Sequence, residues 1–396
     1  MLPNQQDRSQ ELRLMTKHTP RVVGALVGDI VREPEAHTKY QYLFEAVGQH
    51  FPLVGVHDAT LRGVPRLINA LQVIHPDWQR WRERFYKNVS AFQIRSQQAA
   101  AYLESLQGQA DVVLQVGVLF DARWNEDLLP SVIYTDYTAC LSAQKPSAGR
   151  SPFTPRQLEQ WVALERRAFE RATHICTRSE LVRTSVIDDY GIPPERVTAI
   201  GGGVNFATLP KPALGKNEGT PTALFIGKDF YRKGGDLLLE AFALVRSQLP
   251  QARLLLLTGE AIPKNLPLEG VELIQPHWDR ALIESLYRRA DIFVLPSRLE
   301  TWGDVLLEAM AYNLPCIGVA GQSMEEIIEN DVTGLIVPPE DIESLATALS
   351  QLLSNTELRC QLGLAARQRI EQTYTWPHVV ERLTPAIKAA AELSNK

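Results

Sequence analysis

Cysteine is scarce: the 396 residues hold four, Cys140, Cys176, Cys316 and Cys360, and no two form a C-x-x-C pair. Neither a zinc site nor a disulfide framework is suggested, and a reducing cytoplasm suits this usage. Long apolar stretches are missing as well. The strongest, Leu254–Leu257, falls far short of the roughly 20 residues that a membrane-spanning helix needs. The leader MLPNQQDRSQELRLMTKHTP has no apolar core of the kind a signal peptide carries, so a cytoplasmic location with at most peripheral membrane contact is expected. There is no excess of positive charge: 41 Lys+Arg stand against 46 Asp+Glu, for a net charge of −5. Delocalised nucleic-acid binding requires a basic footprint that displaces counterions, so nucleic acid is not an expected partner.

What is present is ordinary globular material, 45% hydrophobic and 22% charged, in a chain long enough for two or more domains. The run RVVGALVGDI reads as a buried strand. From His37 to His50, Tyr40, Leu43, Phe44 and Val47 form an apolar stripe at helical spacing, and PLVGVHDA returns as a strand. Strand, helix and strand with short links predict a βαβ unit and a parallel sheet. Residues 61–107 read as helices broken near Pro76. ADVVLQVGVLF, SVIYTDYTA, HICTRSE and RVTAIGGGV read as further strands, with a helix from Pro155 whose proline suits the first turn.

A proline- and glycine-rich stretch around residues 206–220 is the expected linker. The grammar then repeats: PTALFIGKD, ARLLLLTG, VELIQ, DIFVLPS, PCIGV and GLIVP are strands separated by helical patterns. The expected organisation is α/β, with a Rossmann-like domain over 1–205, the linker 206–220 and a second Rossmann-like domain over 221–375. The last segment, 376–396, is a helix with no strand to follow, expected to pack back on the first domain. Two such domains bind ligands in the cleft facing the carboxyl ends of their strands.

Chemistry concentrates in SRLETWGDVLLEAMAYNLPCIGV, residues 297–319. Glu300 and Glu308 flank a turn in which the amides of Trp302, Gly303, Asp304 and Val305 lead into a helix N-terminus, a ready phosphate site. Taken alone, the two glutamates also fit a surface acid and a capping acid on an ordinary loop. The whole segment, however, resembles the donor-site signature of family 4 glycosyltransferases, which joins a Glu-x7-Glu spacing to an E-x-F/W-G turn and an EAMA-x-G-x-P tail.

FIGKDFYRKGGDLLLEAF extends the resemblance: Gly227 with Lys228, and Lys233 with Gly234, stand where that family has a glycine followed by a cation and a Lys-Gly pair opening a helix. The resemblance implies the two-domain GT-B fold and a nucleotide diphosphate sugar donor held mainly by the second domain. It also implies metal-independent transfer to an acceptor hydroxyl with retention of configuration, a hexosyltransferase-type activity without a resident cofactor. Lys228 and Lys233 would stabilise the departing diphosphate, Glu300 would hold the sugar and Glu308 the ribose.

Two positions depart from the pattern in the second domain. Asn313 replaces a glycine, and asparagine suits the left-handed cap that must end the helix before Pro315. Asp304 places a carboxylate where an apolar residue is usual, as an acid at a helix N-terminus. The first domain departs further. Its first loop, GDIVREPEAHTKY, offers Gly28 alone instead of a glycine pair. The strand expected to deliver a sugar-contacting histidine supplies Asp136, which would orient an acceptor hydroxyl or stabilise a cationic sugar, unless it merely caps a neighbour. His37 is a second candidate near the acceptor.

Another GT-B enzyme, an epimerase or a phosphorylase, and a non-catalytic nucleotide-sugar-binding protein are the alternative readings. Nucleotide, sugar and acceptor, whether glycan, lipid or small metabolite, are left open. Between residues 75 and 95, Trp78, Trp81 and Phe85 share a helical face among Arg80, Arg82 and Arg84, with Phe92 and Lys87 beyond. That pattern fits either peripheral membrane contact or packing against the sheet.

Overall fold

The computed structural model describes residues 19–28, 34–125, 129–145, 151–211, 220–275 and 279–394, with side chains in the helix from Pro34 described from Tyr40 onward. Among the described residues, twelve strands fall into two six-stranded sheets. The first contains β1 (Val22–Leu26), β2 (Leu53–Asp58), β3 (Val112–Val116), β4 (Ser131–Thr135), β5 (His174–Thr177) and β6 (Val197–Ala199). Its order is β2-β1-β3-β4-β5-β6. The second contains β7 (Thr222–Gly227), β8 (Arg253–Thr258), β9 (Val271–Ile274), β10 (Ile292–Val294), β11 (Cys316–Val319) and β12 (Gly334–Val337), in the order β12-β11-β10-β7-β8-β9.

Every pairing between these strands is parallel. Parallel strands are covered by helices on both faces, which is why β1, β3, β4 and β7 are buried at every residue. In each sheet the order reverses beside the first strand, at β1/β3 and at β7/β10. Such switch points open crevices at the carboxyl ends of strands.

Local chemistry explains the helix boundaries. Pro155 lies in the first turn of Pro155–Arg171, behind a capping box in which Thr154 and Gln157 satisfy each other's backbone. The helix Asp304–Ala311 ends at Tyr312, and Asn313 has φ 62°, the left-handed conformation expected of a non-glycine cap. Residues 61–107 form three helices, Gly63–Gln72, Trp78–Tyr86 and Val89–Ser105, with a second break at Lys87 and Asn88. Asn88 caps the third by accepting from the amide of Ala91.

The final helix, Trp376–Ser394, lies in the first sheet's core: Val379, Val380, Leu383 and Ile387 pack with Leu43, Phe44, Val112 and Tyr134. The chain therefore crosses between the domains twice, at residues 200–205 and at 374–376. The two crossings are fastened together. Val204 N–H donates to the Tyr374 carbonyl at 2.7 Å, and the Trp376 indole donates to Asn205 at 3.2 Å. Gly202 and Gly203 are needed here, because a Cβ on either would run into Trp302 or Trp376. Among the described residues no helix is long and apolar enough to cross a membrane.

Candidate active site

A cavity of about 540 Å³ opens between the carboxyl ends of the two sheets. The first domain lines it from the ends of β1, β3 and β4, including Gly117, Asp136, Tyr137 and Ser142, with Tyr40 and Lys87 from helical segments. The second domain supplies Arg232 and Lys233, from the loop after β7, and residues 299–305, from the loop after β10.

Lys233 and Glu300 form a buried ion pair on the second-domain wall. Burial alone would raise the Glu300 carboxyl, but the charges of Lys233 and Arg232 and the hydrogen bonds from Lys233 and Ser297 hold it below the usual range. The backbone around Glu300 is also held. Its amide donates to Gln322 at 3.0 Å, and the Ser323 hydroxyl bonds the carbonyls of Glu300 and Trp302 at 2.9 and 3.1 Å. Gly227 makes room for this arrangement, since a Cβ there would come within 2.9 Å of the Lys233 side chain. Gly234, with φ 73°, starts the helix Gly235–Gln248 in a conformation that favours glycine.

The loop enters the helix Asp304–Ala311 through Gly303, with φ 124°. The first amides of a helix have no intrahelical acceptor and carry a partial positive charge. Backbone at Gly303, Asp304 and Val305 therefore brings a helix N-terminus with its partial positive charge to the cavity edge. Trp302 also borders it, but the indole is buried, with its N–H unpartnered against the Gly202 backbone.

Not every expected residue meets at this cavity. Glu308 lies outside its lining, buried, accepting from Arg280 at 3.0 Å and from the Tyr287 hydroxyl at 3.2 Å. Burial raises its carboxyl in spite of the Arg280 charge. Lys228 follows β7, exposed and outside the cavity lining. The Gly28 amide is already engaged by the carboxylate of Asp58, the last residue of β2, at 3.1 Å. The side chain of His37 lies outside the described residues. Lys228, Glu308 and Gly28 thus stand at the margins, whereas Lys233, Glu300, Gly303, Asp304, Val305 and Asp136 come together.

Asp304 does more than decorate a helix start: its carboxylate accepts from Arg178 of the first domain at 2.9 Å. The same guanidinium nitrogen lies 4.0 Å from Asp136. Arg178 follows β5, is only 1% exposed, and faces the rings of Tyr134, Trp376 and Tyr40 at 5.5, 5.7 and 6.0 Å. Burial opposes its charge, but Tyr134, Asp304 and Asp136 outweigh that and keep its pKa above the ordinary value. One cation thereby fixes an acid from each domain at the cavity floor. Sequence reasoning missed Arg178, Arg232, Arg280, Tyr287 and Ser323. Arg232 had a signal, adjacency to Lys233, and it pairs with Asp229 at 2.6 Å.

Residues 208–369 match the family model of glycosyl transferases group 1. The chain is 27% identical over 310 residues to a D-inositol 3-phosphate glycosyltransferase of Kineococcus radiotolerans, covering 70% of this chain and 69% of that protein. Its fold resembles that of sucrose-phosphate synthase from Thermosynechococcus elongatus, with a TM-score of 0.67 at 18% identity over 92% of this chain and 98% of that one. WaaG, a glycosyltransferase involved in lipopolysaccharide biosynthesis, gives a TM-score of 0.61 at 19% identity over 91% and 99%. Residues 208–369 therefore carry the sequence of group 1 glycosyl transferases, within a chain whose two facing parallel sheets form the GT-B fold of glycosyltransferases.

Proposed function

We propose that the chain is a metal-independent, retaining glycosyltransferase that moves a sugar, of hexose type, from a nucleotide diphosphate sugar to an acceptor hydroxyl. The observation that carries this reading is the buried Lys233–Glu300 pair beside a helix N-terminus in the interdomain cavity. Lys233 and Arg232 lie where a diphosphate held by the amides of Gly303–Val305 develops negative charge as it leaves. Lys228, at the end of the same strand, is the second cation assigned to that group. Glu300, kept ionised, accepts hydrogen bonds from sugar hydroxyls. Glu308 spends one bond per carboxylate oxygen on Arg280 and Tyr287, which leaves acceptor capacity on both oxygens for the ribose hydroxyls.

Asp136 lines the opposite wall, 4.0 Å from Arg178, and in this reading it orients the acceptor. The bond from the anomeric carbon to the diphosphate breaks and one to the acceptor oxygen forms on the same face. The acceptor proton passes to the leaving phosphate oxygen, so positioning and electrostatics suffice without a protein nucleophile. The free thiols Cys140, Cys176, Cys316 and Cys360 suit a cytoplasmic setting.

Thermal shift against UDP, GDP, ADP, CDP and TDP sugars, with and without EDTA, tests the reading, because a ligand that binds only the folded state raises the melting temperature. One nucleotide stabilising equally in EDTA, with the shift lost in Glu308→Ala, supports it. No shift from any nucleotide at millimolar concentration overturns the donor site.

A further inference from the structure

The helix Gly63–Gln72 is mounted inside out. Val64, Leu67, Ile68 and Leu71 recur at i, i+3, i+4 and i+7, the spacing of a core-facing stripe. Yet they are 68, 62, 48 and 62% exposed, and the apolar surface continues through Ile74 at 70% and Trp78 at 67%. The opposite side is held to the rest of the first domain by polar contacts. Buried Asn69 donates to the Phe85 carbonyl at 2.9 Å and accepts from Asn88 at 2.9 Å, and the Trp81 indole donates to the Ala70 carbonyl at 3.0 Å.

The arrangement relocates the surface anticipated from residues 75–95. Trp81 and Phe85 are half-buried and Phe92 is fully buried against Trp161, so of that aromatic series Trp78 alone joins the exposed face.

Charge identifies the occupant. Residues 61–87 hold six basic side chains, Arg62, Arg66, Arg80, Arg82, Arg84 and Lys87, against two acids, Asp77 and Glu83, in a chain whose net charge is −5. Arg66, Arg80 and Arg82 are exposed beside the apolar face. An apolar stripe with an interfacial tryptophan and flanking arginines is the chemistry of a helix that lies in a bilayer interface. Ten residues give a helix about 15 Å long, suited to lying in that plane and not to spanning it.

We propose that the face formed by Val64, Leu67, Ile68, Leu71, Ile74 and Trp78 docks the chain on an anionic phospholipid bilayer. The same hairpin ends at Lys87, which lines the cleft and donates to Tyr137 at 2.8 Å, so docking brings the first-domain wall to the membrane. This inference does not depend on the transfer reaction, and its test needs no nucleotide.

The full chain is sedimented with vesicles of phosphatidylcholine, either pure or with one part in four phosphatidylglycerol. Binding to the anionic vesicles should exceed binding to the neutral ones by about tenfold or more. Leu67→Glu/Leu71→Glu should abolish it with the melting temperature unchanged, since both side chains are already in solvent. Arg80→Gln/Arg82→Gln should weaken it roughly tenfold or more and steepen no other property of the protein. Three results overturn the proposal: no binding to anionic vesicles, equal binding by the leucine variant, or a dimer in ultracentrifugation that the leucine variant dissociates, which would assign the face to a second copy.

Discussion

Arg178 of the first domain and Asp304 of the second meet at 2.9 Å across the cleft floor, and the guanidinium also lies 4.0 Å from Asp136. A buried cation shared by two acids is costly to break from one side, because removing it leaves uncompensated carboxylates. Its position ties the two domains together at the cavity floor.

Arg178→Met should therefore lower stability by about 3 kcal/mol or more and loosen the domain arrangement. Calorimetry and small-angle scattering check this together, with a lower melting temperature and a larger radius of gyration expected. Asp304→Asn, at a half-exposed position, should cost less. A variant with unchanged melting and scattering would show that the contact carries no interdomain coupling.

The Lys233–Glu300 pair should behave as a unit. Lys233→Ala leaves Glu300 buried without its cation and should destabilise by about 3 kcal/mol, while Lys233→Met/Glu300→Gln should recover part of the loss. Denaturant melts of Lys233→Met, Glu300→Gln and the double variant give the coupling, expected within about 0.5–3 kcal/mol. Turnover should fall in every variant that lacks Lys233.

The same pair sets a pH dependence. The folded Glu300 carboxyl is held below its ordinary value of 4.5, so folding favours the ionised form. Its contribution is complete above that value and is lost as pH falls through the lower folded one. The stability difference between the wild type and Glu300→Gln should be constant from neutral pH down to the unfolded carboxylate range and shrink below it. A difference that grows on acidification would contradict the sign.

Two glycines with the same backbone angle should differ in cost. Gly191 and Gly234 both have φ 73°, but a Cβ at 191 meets nothing within 4 Å, whereas at 234 it would sit on the Pro296 carbonyl. Gly191→Ala should cost about 1 kcal/mol for the left-handed backbone alone. Gly234→Ala should cost clearly more and disturb the start of the helix behind Lys233. Equal melting temperatures would refute the distinction.

Much of the fold was legible because parallel strands covered on both faces read as short continuous apolar runs. β1, β3, β4 and β7 are such runs, and the periodic helix from Pro155 carried its own start signal. The cluster of Lys233, Glu300 and the Gly303 turn was legible through its resemblance to a family signature, and it assembles because each lies in a loop that follows a strand and strand ends of a parallel sheet converge. Arg178 was not, since its meaning depends on Asp304, Asp136 and three rings drawn from separate parts of the chain. Nor was the fate of the apolar stripes. Val64, Leu67, Ile68 and Leu71 have the spacing of a buried helix face and lie in solvent, while Phe92 lies in the core.

By itself the sequence determined the succession of strands and helices and the two-domain α/β organisation. These follow from local periodicity and backbone preferences. Tertiary structure alone decided which acids face the cleft, that Glu308 is held by Arg280 and Tyr287, that one arginine joins the domains, and which amphipathic helix turns outward. Periodicity specifies that a face exists; only packing against distant segments determines what that face meets.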